Sequence, residues 1–125
     1  MLTIEESNVL GGIIDTTWCR SSAISGKPAS VGIKWQLLGE DQLIATCSMV
    51  VHLSAPQELR REKDRYTQEA TTILNNQLSE IKKEFKEQSG RTLKAETKHS
   101  DASVEPYYGV PGPALFRLKA IIDLD

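Results

Sequence analysis

Hydrophobic and polar residues alternate along two neighbouring stretches in the first half of the chain. In residues 31–37 the apolar positions are Val31, Ile33, Trp35 and Leu37. In residues 42–53 one parity is apolar throughout, at Leu43, Ala45, Cys47, Met49, Val51 and Leu53, while Thr46, Ser48 and His52 fall on the other. Because successive side chains of a strand point to opposite faces, each stretch predicts a strand with one buried face. The turn residues Gly39-Glu40-Asp41 between them predict a hairpin.

Three further segments carry strand signals. Residues 13–24 are rich in Ile, Thr, Trp and Ser, which predicts a strand before the hairpin. Residues 92–99 alternate Leu93, Ala95 and Thr97 with charged residues. The strongest alternation is at the end of the chain, at Phe116, Leu118, Ala120, Ile122 and Leu124. Both of these later segments are therefore predicted as strands.

Between the two groups of strands the spacing changes to that of a helix. Ser54-Ala55-Pro56-Gln57 has the pattern of a capping box, and Gly90 is a typical helix end. An apolar stripe repeats at steps of three and four residues, at Leu74, Leu78, Ile81 and Phe85. These signals predict a helix from Gln57 to Ser89, about 33 residues and about 50 Å long.

The predicted order is β-β-β-α-β-β, an α+β fold in which residues 1–125 form a single domain. Consecutive hairpins imply a mostly antiparallel sheet with one long helix packed across one face. A ten-residue strand is about 33 Å long, so a 50 Å helix would overhang the sheet. The polar half, residues 60–68, is expected to project and to need support from a neighbouring chain.

The composition limits the kinds of partner that we expect this chain to bind. The chain has 125 residues with 15 basic and 17 acidic ones, a formal net charge of -2, so polyanion binding would need a local basic patch. No stretch has the roughly 20 apolar residues of a membrane span. Glu5 and Glu6 stand where a secretory signal carries basic residues. We therefore expect a protein of the cytoplasm, or of an assembly or viral particle built there, without membrane contact.

No motif for catalysis or for a cofactor stands out. Cys19, Cys47, His52 and His99 are too widely spaced for the ligand pairs of structural zinc. The cysteines are interpreted as buried hydrophobic residues, with a disulfide between them as the alternative. The sequence has no phosphate-binding or dinucleotide-binding glycine motif. We therefore expect no metal, no cofactor and no enzymatic activity.

Two regions are candidates for binding a protein partner. In the loop predicted over residues 100–113, prolines and glycines flank Tyr107, Tyr108 and Val110, as in stiff contact loops. The alternative is that the tyrosines fold back over the sheet. The second region is the half of the helix expected to project, with Arg61, Arg65 and Tyr66.

These features predict a non-enzymatic structural or protein-interaction component of a homo-oligomer or larger assembly, such as a viral particle. The alternative is a single-stranded nucleic-acid-binding module. It would stack bases on Trp18, Trp35, Tyr107 and Tyr108, with Arg20, Lys34, Arg117 and Lys119 around them. A third hypothesis, a ligand pocket or enzyme site between sheet and helix, depends on fold analogy alone.

Overall fold

A computed structural model describes residues 2–16, 23–24, 27–39, 41–51, 60–106 and 114–124. Within these residues the elements are, in chain order, α1 (Ile4–Thr16), β1 (Ala23–Ile24), β2 (Lys27–Leu38), β3 (Gln42–Val51), α2 (Lys63–Ser89), β4 (Ala95–Pro106) and β5 (Ala114–Leu124). The strands lie in the order β1-β2-β3-β5-β4, and every neighbouring pair is antiparallel. The predicted α+β fold with an antiparallel sheet and a long helix is confirmed.

The predicted alternation places one set of strand residues in the core. On this inner face the buried residues are Val31, Ile33, Trp35, Leu43, Ala45, Cys47, Met49, Phe116, Leu118, Ala120, Ile122 and Leu124. The hairpin between β2 and β3 turns at Gly39, whose φ of 65° suits glycine. In β4 the pairing with β5 shifts register between Thr97 and His99.

The beginning of the chain differs from the predicted β-β-β-α-β-β order. The strand predicted over residues 13–24 is wrong at its start, because Ile13 and Ile14 belong to helix α1, and among the described residues of this range Ala23 and Ile24 form the strand. Residues 17–22 lie outside the described residues. The helix begins with a capping box in which Glu6 N–H donates to Thr3 Oγ1 over 3.1 Å and Thr3 N–H donates to Glu6 Oε1 over 3.0 Å.

The long helix is shorter than predicted and does not project. Residues 60 and 61 are helical, a turn follows at Glu62, and α2 runs for 27 residues, about 40 Å. The predicted cap at residues 54–57 lies outside the described residues. Tyr66 and Ala70 in the first half are fully buried, so this half packs like the second. Gly90 ends the helix as predicted, with a φ of 77° and its N–H bonded to the carbonyl of Lys86.

Both helices cover the inner face of the sheet. Helix α2 contacts β3, β4 and β5, while α1 packs against α2 and β2. The helices bring Leu10, Ile13, Ala70, Leu74, Ile81 and Phe85, among others, into one core with the strands. Inside this core the indole Nε1 of Trp35 donates a hydrogen bond to Gln77 Oε1 over 2.7 Å. Because a buried amide without a partner is costly, this bond favours one position of α2 over β2.

A second polar contact ties α1 to the end of α2. Arg91 Nη1 lies 2.8 Å from both carboxylate oxygens of Glu6. The Glu6 side chain is only 15% exposed. The backbone hydrogen bond from Thr3, followed by the bond from Arg91, holds the pKa of Glu6 below its ordinary value. The same carboxylate therefore caps one helix and anchors the chain after the other.

The lowered pKa of Glu6 predicts a pH-dependent contribution to stability. Folding favours the ionised form, so its contribution is present above the unfolded value of about 4.3 and is lost as pH falls through the lower folded pKa. We expect Glu6→Gln to reduce the urea midpoint at pH 7 and the difference from wild type to shrink towards pH 3. The control is Glu5→Gln at the exposed neighbouring position. A difference for Glu6→Gln that is equal at both pH values would contradict the prediction.

Two glycines should respond oppositely to replacement by alanine. Gly12 is an exposed residue inside α1, and a Cβ there would meet no atom within 4 Å. Gly12→Ala should therefore raise the free energy of unfolding by about 0.5–1 kcal/mol. Gly90 has a φ of 77°, so Gly90→Ala should lower it by about 1 kcal/mol. Urea unfolding measures the free energy of unfolding of both variants. A change of the same sign in both would contradict the prediction.

Candidate functional site

The face of the sheet that points away from both helices carries charged, polar and apolar side chains. We call it the outer face. Its members are Gly32, Lys34, Gln36 and Leu38 on β2, Gln42, Ile44, Thr46, Ser48 and Val50 on β3, Leu115, Arg117, Lys119, Ile121 and Asp123 on β5, and Glu96, His99, Asp101, Ser103 and Glu105 on β4. Leu115 is buried at one end, whereas most of the others are exposed or half-buried. The open part of the face therefore extends from Gly32 to Leu38 along β2.

Strand register arranges this open part in four rows. The first row is Gly32, Ser48, Arg117 and Ser103. The second is Lys34, Thr46, Lys119 and Asp101. The third is Gln36, Ile44, Ile121 and His99, and the fourth is Leu38, Gln42, Asp123 and Glu96. Rows one and two are hydroxyl-rich and charged, while row three has an apolar centre.

A shallow concavity of about 660 Å³ occupies the side of the outer face next to β2. Among the described residues that line it, three are cations, Lys34, Arg117 and Lys119, and none is a carboxylate. Thr46 and Ser48 place hydroxyl groups between the cations. Gly32 has no side chain, and the space above it is open, because a Cβ added there would meet no atom within 4 Å. The concavity suits negatively charged groups.

The opposite side of the outer face is acidic. Strand β4 contributes Glu96, Asp101 and Glu105, all exposed, and β5 adds Asp123. Arg117 Nη1 lies 3.7 Å from Glu105 Oε1, with the two side chains 43% and 49% exposed. Lys98 Nζ lies 3.7 Å from Asp123 Oδ2. Exposed pairs at this distance contribute little stability, so these charges remain available to a partner.

The structure separates the residues predicted to bind a partner. Arg61 and Arg65 are exposed, and Arg65 Nη1 lies 3.3 Å from Glu62 Oε1. Tyr66 is fully buried with its ring centre 6.2 Å from that of Phe116, so it is a core residue with no surface for a partner. The sequence predicts that Tyr66 lies in a projecting half of the helix, whereas in the structure Tyr66 packs on the sheet. The loop predicted over residues 100–113 is wrong for residues 100–106, which belong to β4. Tyr107, Tyr108 and Val110 lie outside the described residues.

The nucleic-acid hypothesis is corrected in one respect. Lys34, Arg117 and Lys119 do come together on the outer face. Trp35 is 5% exposed on the opposite face and donates to Gln77, so it offers no stacking surface. Trp18, Arg20, Tyr107 and Tyr108 lie outside the described residues. The basic part of the predicted site is therefore present, and its one described aromatic ring is in the core.

Other candidate chemistry is limited within the described part of the chain. No group of three His, Cys, Asp or Glu side chains that could hold a metal ion occurs among the residues that the structure describes. Between α2 and the sheet, a cavity of about 40 Å³ is lined by Thr71, Leu74, Asn75, Thr97 and Ser100, among others. That is room for a water molecule or two, not for a substrate. No helix in the described ranges is long and apolar enough to cross a bilayer.

Sequence reasoning identified three cations of the outer face, Lys34, Arg117 and Lys119, but missed its other members because it followed the buried residues of each strand. The signal was present in the other parity of β3 and β5, where Ile44, Thr46, Ser48 and Ile121 stand. Which of these residues become neighbours depends on the strand order, and β5 pairs with β3 across a separation of about seventy residues in the chain. The alternation alone does not specify that pairing.

The ion pair between Arg117 and Glu105 should be nearly neutral for stability. Both side chains are about half exposed, so Glu105→Gln should change the free energy of unfolding by less than about 1 kcal/mol. Urea unfolding of the variant measures this. A loss of several kcal/mol would show that the pair supports the fold, and charge substitutions on the outer face could then not be used as tests of binding.

Comparison of the chain with protein-family models, with curated proteins and with solved structures finds no match. The role of the outer face is therefore inferred from its own geometry and charge. Its rows, its concavity and its two charged sides are the observations that a function has to explain.

Proposed function

We propose that this chain is a non-enzymatic protein-interaction component of an assembly and that its outer face is the contact surface. The observation that supports this proposal best is the third row of the face. There Ile44 and Ile121 are cross-strand neighbours that the helices do not cover, and polar and charged residues surround them. An apolar centre with a polar rim is typical of a protein contact.

The apolar area extends beyond the two isoleucines. Leu38, in the next row of the same face, is 53% exposed. Paired side chains on one face of a sheet lie about 5 Å apart, so Ile44 and Ile121 form one continuous apolar surface. Covering such side chains contributes about 25 cal/mol per Å² of apolar area. A protein partner with its own apolar residues would gain this energy, and a polyanion would not.

The charged residues of the face would select the partner. The cationic side, with Lys34 and Lys119, fits carboxylates, while the acidic side on β4 fits basic groups. A partner for the whole face therefore carries both signs of charge around an apolar centre. That the assembly lies in the cytoplasm, or is a viral particle built there, stays a prediction from the sequence.

Single-stranded nucleic acid is the second candidate, favoured by one observation. Lys34, Arg117 and Lys119 line a concavity without a described carboxylate. Binding of this kind depends strongly on salt because it releases counterions. Titration with an oligonucleotide at low salt, followed by Lys34→Ala, distinguishes it from the protein contact. Because Trp35 is in the core, we rank this function second.

The proposed contact is tested by placing a charge in its apolar centre. We expect Ile44→Asp to release the chain from its native complex, so that its mass in extracts falls to the 13.9 kDa of the monomer. Ile4→Asp is the matched control, because Ile4 is 74% exposed on α1, away from the outer face. Light scattering after size exclusion measures the mass, and circular dichroism verifies folding.

Two results would contradict the proposal. One is a wild-type chain that is monomeric in native extracts. The other is a folded Ile44→Asp variant that stays in the complex as fully as wild type does.

A further inference from the structure

We propose that the partner of the outer face is a second copy of this chain, packed face to face about a two-fold axis parallel to the strands. This inference depends on the proposed function, since it names the partner of the same surface. It follows from the strand order and the row register, which make rows two and three of the face complementary to themselves.

The symmetry determines which residues meet. A two-fold axis that runs along the strands above the boundary of β3 and β5 exchanges the two sides of the sheet. It places β2 of one copy over β4 of the other, and β3 over β5. Because rotation about this axis does not move a residue along the strand direction, each row faces the same row of the partner. Sheets packed in this aligned way are about 10 Å apart, within reach of long side chains.

The second row then brings opposite charges together. Lys34 at one end of the row faces Asp101 of the partner subunit at the other end. Both side chains are exposed, and the ladder neighbour of Lys34 on β3 is the uncharged Thr46. Two-fold symmetry repeats the contact, so the interface contains two such pairs.

The third row brings the apolar residues together. Ile44 faces the partner's Ile121, and the symmetry adds the reverse contact. Four isoleucine side chains therefore meet at the axis. Gln36 on one flank faces the partner's His99 on the other. In isologous interfaces of this kind, an apolar centre with charged pairs at the sides gives both affinity and register.

The charge of the whole face agrees with self-association. The face has three cations, Lys34, Arg117 and Lys119, and four anions, Glu96, Asp101, Glu105 and Asp123. Lys98, at the register shift of β4, lies 3.7 Å from Asp123 and offsets the fourth anion. Two copies therefore meet without net repulsion. The alternative two-fold axis, perpendicular to the strands and above the middle of the four rows, would place row two over row three and so Lys119 over the partner's Ile121. Covering a charged side chain with an apolar one disfavours that arrangement.

The area of the face indicates a reversible dimer. Four strands are about 19 Å wide and four rows are about 27 Å long, so each copy covers about 500 Å². Two copies cover about 1,000 Å², the lower bound for a specific interface. We therefore expect dissociation at micromolar rather than nanomolar concentration, within the range of analytical ultracentrifugation.

Charge exchange in the second row tests the arrangement. We expect Lys34→Asp and Asp101→Lys each to weaken self-association at least about tenfold, because each creates two like-charge contacts in its own dimer. A mixture of the two variants should form a heterodimer, since both of its contacts again join opposite charges. The double variant K34D/D101K should associate like wild type. Sedimentation equilibrium of the purified full chain measures all four samples.

Matched controls separate this effect from a general change of charge. Lys83→Asp and Glu84→Lys make the same exchanges on the exposed side of α2, on the other side of the sheet, and should leave self-association unchanged. The inference is overturned if wild type stays monomeric up to 1 mM, roughly a thousand-fold above the expected range. It is equally overturned if the two single variants do not associate when mixed.

The two proposals fail in different ways. If the purified chain is monomeric but Ile44→Asp still removes it from the native complex, the second-copy inference is wrong and the protein contact stands. If the purified chain dimerises with the expected charge exchange but Ile44→Asp leaves the native complex intact, the proposed role of the face in assembly is wrong.

Discussion

The structure depends on one constraint, the period of two in its strands. In β2, β3 and β5 every second residue is apolar, and the hydrophobic effect requires these residues to be covered. A sheet that buries only one face needs one layer of helices, and α1 and α2 provide it together. Within that layer the hydrogen bond from Trp35 to Gln77 is a directional contact between α2 and β2. Apolar packing alone tolerates small shifts, whereas a buried amide requires its partner.

The same period determines the outer face. Once Ile33, Trp35, Ala45 and Leu118 point inward, their neighbours Lys34, Ile44 and Lys119 have to point outward. Antiparallel register then aligns those neighbours in rows. The arrangement of charges and isoleucines on the outer face is thus a direct consequence of how the core is built, and a slip of one residue would exchange the two faces.

The sequence was sufficient for the elements with a strong pattern. The alternation of apolar and polar residues is enough to predict the strands at Val31–Leu37 and Phe116–Leu124. The glycine at position 90 is enough to predict the end of the long helix. Helix α1 was not predicted because Gly11 and Gly12 interrupt its apolar spacing. The capping pair Thr3 and Glu6 was the signal that could have identified it. Local pattern also could not show that Tyr66 is buried or that Lys34 and Lys119 share a row, because both depend on contacts between distant segments.

The edge strand β4 sets a limit on how this molecule can grow. Its side chains at Glu96, Lys98, Asp101 and Glu105 are charged and exposed, and its ladder shifts register beside His99. Charges and irregularities of this kind discourage the backbone of one sheet from pairing with that of the next. The proposed contact through the outer face, by contrast, would use each face once and be complete at two copies. An assembly formed through that contact would be closed, and it would not extend into open-ended fibres.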